Sequence, residues 1–216
     1  MFRSKNPTIQ CPARTQLSQL VWRGRDGGGD GTAAIATGFA VLDDYLPGGG
    51  WPLTGISEIF IEHYGLGELS ILMPALAALC RRDADAGRWI VWIAPPFVPY
   101  APALVHHGID VDRILLVHPS SPGEALWAVE QVIRSRSSVA VLAWIREAGV
   151  TALRRLQLGA ESSRCWTVLF RPAAAIEQSS PAALRFGLSP ARAATGAGIR
   201  VEIRKCRGQR PRSFLL

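Results

Sequence analysis

The sequence contains no apolar run of the roughly 18 residues that a membrane-spanning helix needs, and its opening segment, MFRSKNPTIQ, lacks the apolar centre of a signal peptide. Both absences predict a cytoplasmic protein with no membrane attachment. Cysteine is sparse: Cys11, Cys80, Cys165 and Cys206 stand far apart with no CxxC pair. That spacing argues against a clustered zinc site and a dense disulfide framework, and predicts reduced thiols. Acids are missing from the first 25 residues, which carry Arg3, Lys5, Arg14, Arg23 and Arg25. A single acid, Glu202, accompanies the six cations of residues 200–216. Each end therefore carries +5 of the total net charge of +7, and the 174 residues between them carry −3. A near-neutral body with basic extremities suits an anionic partner surface.

What is present suffices for one ordinary domain: 216 residues, 48% of them hydrophobic. Residues 1–36 read as a basic, partly flexible appendage, with a short apolar stretch at Gln16–Trp22 and a glycine-rich joint at 26–31. Thr37 is predicted to cap a helix bearing Phe39, Leu42 and Leu46, stopped by Pro47 and three glycines. Predicted strands then follow at Gly55–Ile61, Trp89–Ala94, Arg113–His118, Ser138–Trp144, Cys165–Phe170 and Ile199–Arg204. Helices alternate with them. One carries Leu69, Leu72, Leu76 and Leu79 with a kink at Pro74; the others are Tyr100–His107, Gly123–Arg136 and Thr151–Ala160.

Such alternation predicts an α/β fold, a mostly parallel sheet with helices on both faces, over a core at 37–204 followed by a basic tail at 205–216. Ligands of these folds sit beyond the carboxyl ends of the strands, which directs the search to the loops after Ile61, Ala94, His118, Trp144 and Phe170.

The first of these loops has the topology of a phosphate-binding loop without its chemistry. A Walker-type loop needs GxxxxGK[ST], with glycines to let amides converge, a lysine as counter-charge and a hydroxyl for magnesium. Here Gly65 and Gly67 supply glycines, but Glu68 falls where lysine belongs and Leu69 where the hydroxyl belongs. A carboxylate beside a phosphate costs on the order of several kcal/mol. The degenerate loop Gly65, Gly67 and Glu68 therefore predicts no nucleotide cofactor, and Gly65 and Gly67 also read simply as turn glycines.

The stretches Thr37-Gly38-Phe39-Ala40-Val41-Leu42-Asp43, Gly48-Gly49-Gly50 and Gly55-Ile56-Ser57-Glu58-Ile59-Phe60 resemble the opening of a RecA-type recombinase core. Pro99-Tyr100-Ala101, Gly108-Ile109-Asp110, Ile114–Val117 and Gly123-Glu124-Ala125-Leu126 continue the series in order. The resemblance is closer to the ImuA family, carried by Leu46–Pro52, Gly65-Leu66-Gly67-Glu68-Leu69, Trp92–Pro96, Pro99–Leu104, Leu142-Ala143-Trp144 and Leu153-Arg154-Arg155-Leu156-Gln157-Leu158. The last of these segments is similar to one in the SulA cell-division inhibitors.

The RecA likeness implies a RecA-like P-loop-type core in which Pro96 stands where the glutamate that polarises water would be, and Trp144 where a Walker B aspartate would help hold magnesium. It thus implies a protein that is not an enzyme and carries no metal. The ImuA likeness implies an accessory protein of SOS-induced translesion DNA synthesis, a mutasome component of DNA repair. Implied partners are a Y-family-like polymerase homologue (ImuB), an error-prone polymerase α subunit, the β sliding clamp and RecA. Alternative readings are a SulA-like division inhibitor and an ATPase with an unorthodox site.

Outside the cleft, Arg204, Lys205, Arg207, Arg210 and Arg212 are the candidate partner- or nucleic-acid-binding residues, able to follow a phosphate backbone or an acidic protein surface. Phe214-Leu215-Leu216 is a candidate docking peg. Trp89, Trp92, Trp144 and Trp166 are expected in the core, whereas Trp51, between Gly50 and Pro52, reads as an exposed turn aromatic able to anchor a partner. His63, His106, His107 and His118 read as surface residues without a catalytic role.

Overall fold

The computed structural model describes residues 33–65, 67–193 and 196–216; the predicted appendage up to residue 32, with its basic residues, lies outside them. Ala34–Ile35 (β1) pairs antiparallel with Trp51–Pro52 (β2). The main sheet comprises Ile56–Ile61 (β3), Trp89–Ile93 (β4), Ile114–Val117 (β5), Ser138–Trp144 (β6), Trp166–Pro172 (β7), Leu184–Ala193 (β8), Gly196–Cys206 (β9) and Arg212–Leu215 (β10). Its order is β5-β4-β6-β7-β3-β8-β9-β10. Neighbours from β5 through β8 are parallel, while β8–β9 and β9–β10 are antiparallel. The mixed α/β architecture with a mostly parallel sheet follows the sequence expectation.

The central strands are apolar runs because both their faces are covered, and the two-residue period of a strand splits each run between two cores. Ile90 and Trp92 of β4, Leu142 and Trp144 of β6, and Val168 and Phe170 of β7 belong to one core. There they meet the helix Met73–Arg82 through Leu76, Leu79 and Cys80. Val91, Ile93, Val141, Ala143 and Leu169 point the other way. They pack with Val129 and Ile133 of Pro122–Ser135 and with Leu153, Leu156 and Ala160 of Val150–Ser163. In chain order the helices are α1 (Ala40–Asp43), α2 (Met73–Arg82), α3 (Ala101–His106), α4 (Pro122–Ser135) and α5 (Val150–Ser163). Among the described residues, no helix is long and apolar enough to cross a membrane.

Several local expectations change. Thr37 does not cap a helix with its side chain; its Oγ1 accepts the Phe39 N–H at 3.0 Å and its own N–H donates to Asp43 Oδ1 at 2.7 Å. The helix it precedes is only the four residues of α1, with Phe39 at the N-cap. Gly38 makes that turn at φ +86°, and a Cβ there would lie 2.5 Å from Pro74 Cβ, so only glycine lets the turn lie against α2. Pro74 itself does not kink its helix. It sits in the first turn of α2, where a missing N–H costs nothing.

The largest difference is at the carboxyl end. In place of one final strand and a basic tail at 205–216, three strands complete the sheet. β9 runs on to Cys206, and β10 returns along it with Phe214 opposite Val201 and Leu215 opposite Arg200. Leu216 closes the edge by exchanging 2.9 Å backbone hydrogen bonds with Ile199. Leu184–Ala193 escaped the pattern reading because Arg185, Gly187, Ser189 and Pro190 interrupt its apolar period.

Candidate functional site

β4 and β6 are neighbours in the parallel sheet, with β3 one strand further on beyond β7, and residues at and after the carboxyl ends of β3, β4 and β6 enclose a cleft of about 220 Å³. Gly65, Gly67 and Glu68 from the loop after β3, Pro96 from the loop after β4 and Trp144 from the end of β6 all line it. The structure thus brings together the loop residues Gly65, Gly67 and Glu68 with Pro96 and Trp144, the two positions that the RecA resemblance singled out.

Their chemistry there is specific. Gly65 and Gly67 both adopt positive φ, +85° and +86°, and the loop doubles back so that Glu68 can face it. The Gly65 N–H donates to Glu68 Oε1 at 3.0 Å and to Oε2 at 3.1 Å. The amide that a phosphate would need is thus already paired to an internal carboxylate. Glu68 is 5% exposed. At the end of β6, Trp144 stacks on Phe170 with ring centroids 4.7 Å apart and touches Trp92 at 5.7 Å. Among the described lining residues no lysine or hydroxyl stands in Walker order.

The cleft has an apolar rim. Phe97, Val98 and Tyr100 are 65%, 82% and 73% exposed, above the buried Trp92, Trp144 and Glu68.

Charged groups that sequence reading missed lie deeper. Glu58 of β3 is fully buried between two arginines: Arg171 Nη1 of β7 donates to its Oε1 at 2.7 Å, and Arg185 Nε of β8 to its Oε2 at 2.8 Å. Arg171 also reaches Gln178 Oε1 at 2.9 Å, Arg185 reaches the Ile176 carbonyl at 2.9 Å, and the Arg185 guanidinium lies 4.9 Å over the Phe60 ring. Lys205 borders the cluster; burial, then the Arg185 charge, lower its pKa against the opposing pull of Glu58. The signal was present in the sequence as single charges inside strand-like runs, at Glu58 in ISEIFI and Arg171 in VLFRP. A second missed cluster joins Asp83 at the end of α2 to Arg88 Nε at 2.8 Å and Arg113 Nη2 at 3.0 Å.

The basic candidates lie at the far edge of the sheet from β5. Arg204 pairs with Glu202 at 3.4 Å, and Lys205 Nζ donates to the Ser180 carbonyl at 3.0 Å. Tyr45 Oη donates to the Arg210 carbonyl, and the Arg212 guanidinium lies 5.6 Å over the Tyr45 ring and 5.2 Å over Phe214. Arg207 is exposed beside them. These cations form one edge, apart from the cleft, and Arg212 is spent on packing.

Phe214 meets Tyr45 edge to face at 5.1 Å, so the expected docking peg docks on its own domain. Trp51 is likewise no exposed anchor: it is 2% exposed and stacks between Trp166 and Phe186, at 6.2 and 5.5 Å. Trp89 reverses its expectation too, being 43% exposed at the start of β4.

Among the described residues no three His, Cys, Asp or Glu side chains converge as metal ligands. Burial pushes the Cys165 thiol up to about 12, against a lowering by the Thr167 hydroxyl, and Cys206 up to about 11. Neither is a nucleophile near neutral pH.

Leu153 and Leu156 face the sheet, and the buried Gln157 accepts the Ile56 N–H at 2.9 Å, pinning the start of β3. Arg155, exposed on the other face, pairs with Glu130 at 3.5 Å.

No protein-family model matches the chain. It is 27% identical over 206 residues to Protein ImuA of Caulobacter vibrioides, which covers 86% of this chain and 83% of that protein. Against the cell division inhibitor SulA of Edwardsiella piscicida it is 30% identical over 117 residues, covering 52% of this chain and 68% of the inhibitor. SulA of Photorhabdus laumondii is 24% identical over 119 residues, covering 55% of this chain and 67% of that protein. Among solved structures, SulA from Pseudomonas aeruginosa aligns with a TM-score of 0.44 at 25% identity, over 54% of this chain and 97% of that one. Across most of its length the chain is thus homologous to Protein ImuA, and over about half of it to the SulA cell-division inhibitors.

Proposed function

We propose that the protein is a non-catalytic accessory factor of SOS-associated mutagenesis, built on a RecA-like core with a degenerate P-loop, and that it serves translesion synthesis through protein contacts. The observation that carries this reading is the extent of the ImuA likeness, 86% of this chain against 52% for SulA of Edwardsiella piscicida. The cleft supports it, since it gathers Glu68, Pro96 and Trp144, the residues that the RecA resemblance sets at the positions of an ATPase's lysine, glutamate and aspartate. A polymerase homologue of the ImuB kind is the first expected partner, followed by the error-prone polymerase α subunit, the sliding clamp and RecA. The basic edge at Arg204, Lys205, Arg207 and Arg210 is the surface for an acidic protein or for DNA.

The test is ultraviolet-induced mutation frequency in a deletion strain complemented with this chain. Restoration of mutagenesis supports the reading, and a deletion strain that mutates normally removes it. Substituting Arg204, Lys205, Arg207 and Arg210 with glutamine, which spares β10, is expected to reduce capture of the polymerase homologue. Undiminished capture takes the basic edge out of the interface.

A second reading rests on the 30% identity to SulA. Overexpression separates the two: filamentous cells with unaltered mutagenesis favour a division inhibitor.

A further inference from the structure

The cleft on the carboxyl edge sets one carboxylate among aromatic and proline side chains. Its inner wall is Glu68, Trp92 and Trp144, at 5%, 1% and 5% exposure, and its mouth is Phe97, Val98 and Tyr100, all well exposed. No described lining residue is cationic, and Glu68 is the one charged group among them. Its described donor is the Gly65 N–H, shared between both oxygens, whereas a carboxylate can accept about four hydrogen bonds. Among the described residues it forms no ion pair. Glu68 therefore keeps acceptor capacity that no cation among the described residues fills.

The volume, about 220 Å³, falls below the roughly 300–1,000 Å³ of small-molecule pockets and admits one long side chain more readily than a nucleotide. Aromatic rings around a carboxylate are the surroundings that a guanidinium prefers, because it can pair with the acid and stack on the ring faces at once. Pro95, Pro96 and Pro99 in the same loop hold the mouth in shape and add no N–H of their own. The apolar surface at 97–100 continues outward from the cleft, so flanking apolar residues of an extended segment would be covered as well.

We infer that this cleft is a docking site for an extended segment of a partner protein, one that inserts an arginine toward Glu68 and lays its flanking apolar residues on Phe97, Val98 and Tyr100. The inference stands on the chemistry of the cleft, and it holds for whichever assembly the chain joins.

The test uses the full chain and two blocked synthetic octapeptides rich in leucine and proline, one with a central arginine and the other with citrulline in its place. Calorimetry is expected to show saturable binding of the arginine peptide and at least tenfold weaker binding of the citrulline peptide. Glu68→Gln, which can still accept the Gly65 N–H, should erase that difference by weakening only the arginine peptide. Tyr100→Ala, on an exposed side chain, should weaken both peptides while leaving the urea midpoint unchanged. Equal affinity for the two peptides, an arginine affinity that Glu68→Gln leaves intact, or no saturable binding of either peptide at millimolar concentration would each overturn the inference. So would self-association of the chain that Tyr100→Ala abolishes, since a second copy would then be the occupant.

Discussion

The Glu68 carboxylate turns back onto the Gly65 N–H, at 3.0 and 3.1 Å from its two oxygens. This one relationship commits the Gly65 amide of the loop after β3 to the chain's own carboxylate. Adding a phosphate would require breaking that bond and placing two anions together at low dielectric. Calorimetric titration with MgATP is therefore expected to give no saturable heat up to millimolar nucleotide. Micromolar affinity would refute the account of Glu68, Pro96 and Trp144.

Glu58 is the keystone of a buried charge triad, and its removal strands two guanidiniums in the core. Glu58→Gln should lower unfolding free energy by about 3–5 kcal/mol. Replacing Glu58, Arg171 and Arg185 together with apolar residues of similar volume should restore much of that loss. Urea unfolding of both variants checks the pair of expectations, and a single variant as stable as the parent would contradict the buried geometry.

Asp83 links the end of α2 to β4 and to the turn before β5. Burial pushes its pKa up, but hydrogen bonds from the side chain and backbone of Arg88 and the charges of Arg88 and Arg113 prevail, holding it below the ordinary value. Because the folded pKa is the depressed one, the stabilisation is complete above the unfolded value of about 3.9 and is lost as pH falls through the folded pKa. Asp83→Asn should cost about 1.5–3 kcal/mol at pH 7. In urea melts taken at successive pH values, the gap between variant and parent should narrow below about pH 4.

Gln157 satisfies a backbone donor at the buried start of β3. Gln157→Leu keeps the bulk and removes the acceptor, so the Ile56 N–H is orphaned at a cost of about 1–3 kcal/mol. Amide hydrogen exchange at Ile56 is the direct readout: protection there should fall in the variant. Unchanged protection would mean that the glutamine contributes packing alone.

The helices and parallel strands were legible because their signals are local. The Leu153, Leu156 and Ala160 face of α5 repeats at helical spacing, and strand runs such as Ser138–Trp144 are continuous and apolar. The cleft lining was legible for the same reason: Glu68 is adjacent to its glycines in the chain, and loops after parallel strands gather on one edge. Illegible were features that depend on distant partners. Pro74 signals a break in any helical pattern, and only its place in the first turn of α2 shows it as a start. Trp51 reads as a turn residue until Trp166 and Phe186 close over it.

By itself the sequence determined the α/β class, the basic bias of the ends and the want of a GxxxxGK[ST] motif, since each depends on residue type and near-neighbour spacing. Tertiary structure alone decided that Arg171 and Arg185 serve Glu58, that the cations of residues 204–212 line a sheet edge in place of a free tail, and that Phe214 seals Tyr45. Those outcomes turn on which strand lies beside which, and strand neighbours more than 100 residues apart, such as those bearing Glu58 and Arg171, are chosen by burial and charge pairing in three dimensions.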